Sequence, residues 1–423
     1  MMNRPPHVPP ALRQAAAGLA VFLTCSAAPA NDALDILEGR KDAGEVAVGP
    51  SPAGPGPAPE EVEIVELDES WAPSPLDPIW ARAMLFEDPS NCWVQALAVE
   101  GLFHWHGTWG SAEHDVPASG ARVGNDIDTV RARRLRLGAR MRAFYNTTIE
   151  GRADFEGDGR YAGIDELKAT VDVNEDLRVS VGKIRPPFSL EYATDPQRLL
   201  TPERSTLVNQ LAPARTLGLM IDADAGRWDY GIGWFSGDAD PDLPSFGGDG
   251  FILAKLGYEA VDRAEGAEPL HTRWHLDYIY NLDGRNSLSI PRVRVPAGTL
   301  SANGAQPVAQ PWFRHLLSTG VELRPDRFAF SGDFLLGNGG HANVWGLTVM
   351  PSYWVMPGTL RLVGRYHYAD TDAPGGIITG LGSDPFFDMS PLYSGDEYHS
   401  FYLGANLHLY QDRLLLMGGL EYA

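Results

Sequence analysis

The chain has 423 residues, 44% of them hydrophobic, with 34 basic and 55 acidic side chains and a formal charge of −21. A mean hydropathy of −0.20 and no apolar run long enough to cross a bilayer exclude a helical membrane protein. The acidic balance argues against a nucleic-acid partner, and the length suits two ordinary domains or one large barrel.

Residues 1–30 read as a secretory signal peptide: Arg4 and Arg13 supply the basic start, Ala15 to Thr24 the apolar stretch, and Ala28-Pro29-Ala30 a small-residue cleavage site. Cys25 follows Phe22-Leu23-Thr24, which lacks the small residue that lipid attachment wants just before a cysteine. A processed chain then keeps only Cys92, so no internal disulfide holds the fold. Residues 31–90 carry the Pro/Gly run from Gly49 to Pro59 and the acidic stretch from Glu60 to Glu69, the composition of a disordered linker. Residues 1–91 hold 5 basic and 14 acidic residues, net −9, which leaves 29 and 41, net −12, for residues 92–423.

From residue 91 onward the chain reads as a barrel domain. In residues 134–143, Arg134, Arg136, Arg140 and Arg142 alternate with Leu135, Leu137, Ala139, Met141 and Ala143. Successive side chains of a strand point to opposite faces, so this strand has one basic and one apolar face. The pattern recurs with aromatics on the apolar face: Trp228, Tyr230, Ile232 and Trp234, then Leu360, Leu362, Tyr366 and Tyr368. Apolar-out, polar-in strands with aromatic girdles are what a transmembrane antiparallel β-barrel requires.

Strands are expected at 92–106, 131–143, 147–156, 164–173, 177–183, 215–224, 227–236, 250–261, 270–281, 312–324, 326–337, 343–354, 359–370, 398–410 and 413–422. Short turns, such as Tyr145-Asn146, Ala225-Gly226 and Met356-Pro357-Gly358, alternate with long connections at 107–130, 184–214, 237–249, 282–311 and 371–397. Outer-membrane barrels alternate short periplasmic turns with long outer loops. Fifteen strands are visible where an even number, about sixteen, is expected; the last is either unrecognised or missing.

The arginine row and Arg152 are candidate pore-lining residues. Two readings stand: a ladder that eases anions through a low-dielectric passage, or cations paired with Glu150, Asp154 and Glu156 of the next strand. His104 and His106 share a face but are too few to hold a metal. Asp238, Asp240 and Asp242 resemble the start of a calcium loop, yet Leu243 stands where the turn needs glycine. No phosphate-binding loop, nucleophile elbow or zinc-protease motif is present, so the reading is not an enzyme and implies no cofactor.

Residues 131–236 resemble the phosphate-selective porins of the O and P type. The resemblance is carried by Arg133-Arg134-Leu135-Arg136-Leu137-Gly138, Val181-Gly182-Lys183-Ile184-Arg185-Pro186-Pro187-Phe188-Ser189-Leu190-Glu191, Pro202-Glu203-Arg204-Ser205 and Ala212-Pro213-Ala214-Arg215-Thr216-Leu217-Gly218. It implies a sixteen-stranded homotrimeric porin of the bacterial outer membrane, surrounded by lipid and passing small anions such as phosphate by passive diffusion. Its third loop, here 184–214, would fold into the lumen, with Lys183, Arg185, Arg198, Arg204 and Arg215 in or beside the constriction. Inward acids at Glu150, Asp154, Asp172 and Asp333 depart from a strongly basic pore. The alternative is a structural or adhesive barrel, closed by its loops, whose amino-terminal arm contacts the cell wall.

Overall fold

The computed structural model describes residues 21–27, 74–116, 121–238, 240–246, 250–262, 270–282, 313–325, 327–339, 342–373, 376–379 and 393–423. Its strands are β1 (Val21–Ala27), β2 (Met84–Glu87), β3 (Val94–Val116), β4 (Ala121–Ala143), β5 (Thr147–Phe155), β6 (Tyr161–Asn174), β7 (Leu177–Ile184), β8 (Thr216–Ala225), β9 (Trp228–Phe235) and β10 (Phe251–Asp262). They continue as β11 (Leu270–Asn281), β12 (His315–Pro325), β13 (Phe328–Asn338), β14 (Val344–Met356), β15 (Leu360–Thr371), β16 (Ile377–Thr379), β17 (Tyr393–Gly395), β18 (Glu397–Tyr410) and β19 (Leu414–Tyr422).

From β3 to β15, and on through β18 and β19, each strand pairs antiparallel with the next, and β1 lies antiparallel between β19 and β3. The result is a ring of 16 strands, with β2 an additional short partner of β3. β16 and β17 form a separate hairpin between β15 and β18. Among the described residues, no helix is long and apolar enough to cross a membrane.

All fifteen expected strands are present, with three differences. The connection expected at 107–130 is mostly strand, because β3 and β4 stay paired from Val94↔Ala143 to Val116↔Ala121. The linker expected to reach residue 90 gives way earlier: Asp77–Trp80 is a helical turn, α1, whose Trp80 is buried against Tyr410 at 4.8 Å. The sixteenth position, left open between an unrecognised and a missing strand, is occupied by β1, which pairs with both β19 and β3.

The alternation read from sequence holds around the wall. Leu137 (57% exposed), Trp228, Tyr230, Ile232, Leu362, Phe401 and Leu403 face outward, while Arg134, Arg136, Val363, Arg365 and His367 are buried on the inner face. Outer rings adjoin in an aromatic row, Phe334–Trp345–Tyr368–His399, with neighbouring centroids 6.2, 4.9 and 4.9 Å apart. Tight turns close the short end; Gly226 and Gly358 (both φ 66) take the left-handed conformation there.

The apolar core lies within the ring. Phe188, Leu207, Val208 and Leu211, from the β7–β8 connection, pack against inner-face residues of the opposite wall, including Leu253, Ile279, Leu316, Leu335 and Val344. A sandwich would place its core between two sheets; here one loop fills part of one lumen.

Candidate functional site

The arginine row of β4 faces the acids of β5 and β6. Register places Arg136 opposite Asp154 and Arg140 opposite Glu150. Arg140 bridges Glu100 and Glu150 at 2.8 and 2.5 Å, and Arg142 pairs with Asp172 at 2.6 Å. Asp165 gathers three arginines, Arg136 at 3.0 Å, Arg152 at 2.7 Å and Arg215 at 3.1 Å. Cross-wall pairing therefore describes this row better than an unpaired ladder, although Glu156 pairs with Arg160 instead.

The second half of the site is the 31-residue connection between β7 and β8, residues 185–215, with helical turns α2 (Leu190–Ala193) and α3 (Thr206–Leu211). Ser189 opens α2 with φ 66, an uncommon conformation for a residue with a side chain, and its hydroxyl accepts from the Tyr192 amide at 3.2 Å. Two aspartates of the wall secure this strained start: Asp277 accepts from the Ser189 amide at 2.9 Å, and Asp333 from the Leu190 amide at 3.1 Å. Ser318 and His275 complete that cluster, with Ser318 donating to Asp333 at 2.7 Å.

Elsewhere, Arg365 of β15 donates to Thr201 at 2.9 Å and to the Glu203 carbonyl at 2.7 Å. It also pairs with Glu191 at 3.4 Å and Glu421 at 3.0 Å. Asn406 of β18 donates to the Leu200 carbonyl at 2.9 Å. On the far wall the Glu203 carboxylate, wholly buried, accepts from Arg134 at 2.8 Å and pairs with Arg133. Arg133 reaches it because the β3–β4 register slips between His104 and Trp105. The resulting bulge turns two consecutive side chains toward one partner. Burial alone would raise the Glu203 carboxyl, but Arg133 and Arg134 outweigh it and hold it well below its ordinary value.

The loop cations divide by role. Lys183, expected to line the pore, is buried and donates to the carbonyls of Asp240, Pro241 and Asp242 at 3.2, 2.6 and 3.1 Å. The supposed calcium-like segment thus supplies backbone oxygens to an ammonium. Arg204 donates to the carbonyls of Glu191 and Thr194 at 2.8 and 2.5 Å. Burial lowers it to about 10, so it remains a cation at neutral pH. Arg134 is also an anchor, not an exposed rung. Arg185 pairs with Asp195 at 2.6 Å. Arg198 is exposed and, among the described residues, has no ion-pair partner.

Glu191, Glu203, Asp165, Asp277 and Arg365 had no assigned role in the sequence reading. The available signal was the placement of acids within a long loop opposite an inward arginine row.

Residues 111–249 match the family of phosphate-selective porins O and P. The porin match runs from the upper part of β3 through the latched loop and β9, so it contains the arginine row, Glu203 and Arg198. No curated protein matches the chain. Similar solved structures include the anion-selective porin of Comamonas acidovorans, with 12% identity, 77% of this chain and 98% of that one covered, and a TM-score of 0.44. OmpF of Salmonella typhi with daunomycin has 10% identity, 77% and 97% coverage and a TM-score of 0.43. The trimer form of OmpT of Vibrio cholerae has 11% identity, 77% and 98% coverage and a TM-score of 0.40.

Proposed function

We propose that this chain is an outer-membrane porin through which small hydrophilic solutes diffuse passively, anions preferentially, with phosphate the candidate suggested by the family match. The outward apolar wall is the surface for lipid, and the loop latched across the lumen is the constriction. Export is assigned to the signal at residues 1–30, and assembly to a homotrimer as the family resemblance implies. Arg136, Arg140, Arg142, Arg152, Arg185, Arg198 and Arg215 are proposed to border the passage.

One observation supports the anion preference most directly: buried Lys183 and Arg204 are held by carbonyls, and Arg198 is exposed without a direct ion pair among the described residues. Dipoles orient a cation without cancelling its charge, so a positive potential persists at the narrowing and concentrates anions there. The inner wall itself is mixed in sign, which limits the preference to the loop.

Reversal potential across a planar bilayer under a salt gradient tests the reading. The expected result is anion selectivity, reduced by Arg198→Glu. Preferential cation permeation in the unaltered protein would overturn the anion assignment, and a folded barrel without conductance would leave the closed, adhesive alternative.

A further inference from the structure

We propose that Arg314 and His315, at the long-loop edge of the outward wall, dock a lipid whose headgroup carries phosphate. This rests on the outer-membrane reading given above and is independent of the solute that the pore passes.

Register defines two tiers on the outer face. Tyr278, Leu317, Leu336 and Trp345 are partners across β11 to β14 and form an apolar tier. Two residues nearer the long connections, about 7 Å further up, a second tier runs through Trp234, Ile252, Tyr280, His315 and Asn338. His315 and Asn338 stand where the tier below has Leu317 and Leu336, so the apolar belt ends between them. Polar groups just above an outward apolar band with aromatic residues lie at headgroup depth.

The two basic groups are held in place. The Arg314 amide donates to the Asn338 carbonyl at 3.0 Å, and its carbonyl accepts from the Asn281 amide at 2.9 Å, which fixes its backbone between β11 and β13. Its guanidinium lies 5.8 Å from the centroid of the Tyr280 ring, a contact that orients the charge without cancelling it. His315 shares a 2.7 Å hydrogen bond with the Tyr278 hydroxyl through Nδ1, and its ring centroid is 5.5 Å from that of Tyr280. With the phenol donating, the ring proton sits on Nε2, which has no hydrogen-bond partner among the described residues.

Charge selects the occupant. β15 and β18 carry a similar dyad at the same edge, Tyr366 with His399 at 2.9 Å. There Nε2 of His399 meets Glu397 at 3.1 Å, and Asp370 stands opposite Glu397 in register. That part of the rim is acidic and repels anions, whereas the β11–β12 part carries an arginine. Arginine has five N–H donors, enough to keep its protein contacts and also to take a phosphate oxygen by a charge-assisted bond, with His315 Nε2 as the second donor. The acyl chains of the same molecule would cover Leu317, Leu336 and Trp345 below. A soluble anion gains nothing from that lower tier, so the occupant is a lipid.

The test uses the full-length protein purified from outer membranes in detergent, checked for folding by its heat-modifiable migration on gels. Native mass spectrometry reads adducts with added bis-phosphorylated lipid A and with the same lipid stripped of its phosphates. The unaltered protein should retain the phosphorylated form preferentially. Arg314→Gln with His315→Gln should weaken that retention at least about tenfold, and each single change, which serves if the double variant does not fold, should weaken it less. Arg314→Lys, which keeps the charge, should lose less than Arg314→Gln, and His399→Gln should lose nothing. Equal retention of the two lipids by the unaltered protein would overturn the proposal, as would retention unaffected by the changes at 314 and 315 or equally reduced by His399→Gln. An unaltered protein that retains the lipid but conducts no ions would count against the porin reading alone.

Discussion

Arg134 donates to Glu203 at 2.8 Å across 69 residues of chain, and this contact fastens the loop to the wall from which the β-barrel's arginine row extends. Removing one member of a buried ion pair leaves the other charge without compensation, at a cost of about 3–5 kcal/mol. Glu203→Gln is therefore expected to lower the temperature at which the heat-modifiable form is lost. It should also raise single-channel conductance and its open-channel noise, as one end of the loop detaches. Unchanged noise and thermal stability would remove Glu203 from the latch.

The same carboxylate sets an acid limit. Its ordinary value is 4.5 and its folded value lies well below, so its stabilising contribution is complete above 4.5 and is lost only as pH falls through the lower folded value. The loop should stay latched at pH 5, with acid-induced noise appearing only well below the ordinary carboxyl value of 4.5 and reversing on neutralisation. Glu203→Gln should show no such transition. Conductance recorded from pH 7 to pH 3 checks both.

Arg198 is the cation whose removal should affect ions and leave the fold intact. Arg198→Glu is expected to shift the reversal potential toward cations at low salt and to have little effect at 1 M, where the screening length is about 3 Å. Its thermal stability should match the unaltered protein. By contrast, Arg134→Ala with Arg136→Ala should destabilise the barrel, since both side chains are buried in ion pairs. Equal destabilisation by both changes would contradict this division of roles.

Gly346 of β14 gives the α3 turn its seat. A Cβ there would lie 2.5 Å from Leu207 Cδ2 and 2.5 Å from the Tyr368 carbonyl oxygen, and the backbone oxygen cannot yield. Gly346→Val is expected to cost about 1–3 kcal/mol through overpacking and to expose residues 205–211 to added protease. Gly151→Val, where the nearest contact is Leu167 Cδ1 at 3.5 Å, serves as the tolerant comparison.

The wall was legible because its rules are local. A period of two places Arg134 and Arg136 on one face whatever the rest of the chain does, and the short turns reveal where each strand reverses. What escaped were relationships that no window contains. Arg133 belongs to the outer face by alternation, yet a one-residue slip in pairing brings it to Glu203. Arg365 lies 174 residues from Glu191, so only closure of the ring could introduce them. Lys183 adjoins the loop in sequence, but its three carbonyl partners come from a different connection, 57 to 59 residues on. Strands β3 and β4 were cut short because Gly107, Gly110 and Gly124 read as loop, although their partners keep pairing past them.

The insert between β7 and β8 touches β4, β11, β13, β15 and β18, points distributed around most of the circumference. It behaves as a cross-brace: squeezing the cylinder out of round would have to tilt the insert, and tilting the insert would change the bore. In the proposed membrane setting, lateral pressure on the wall and the calibre of the opening would thereby be mechanically joined.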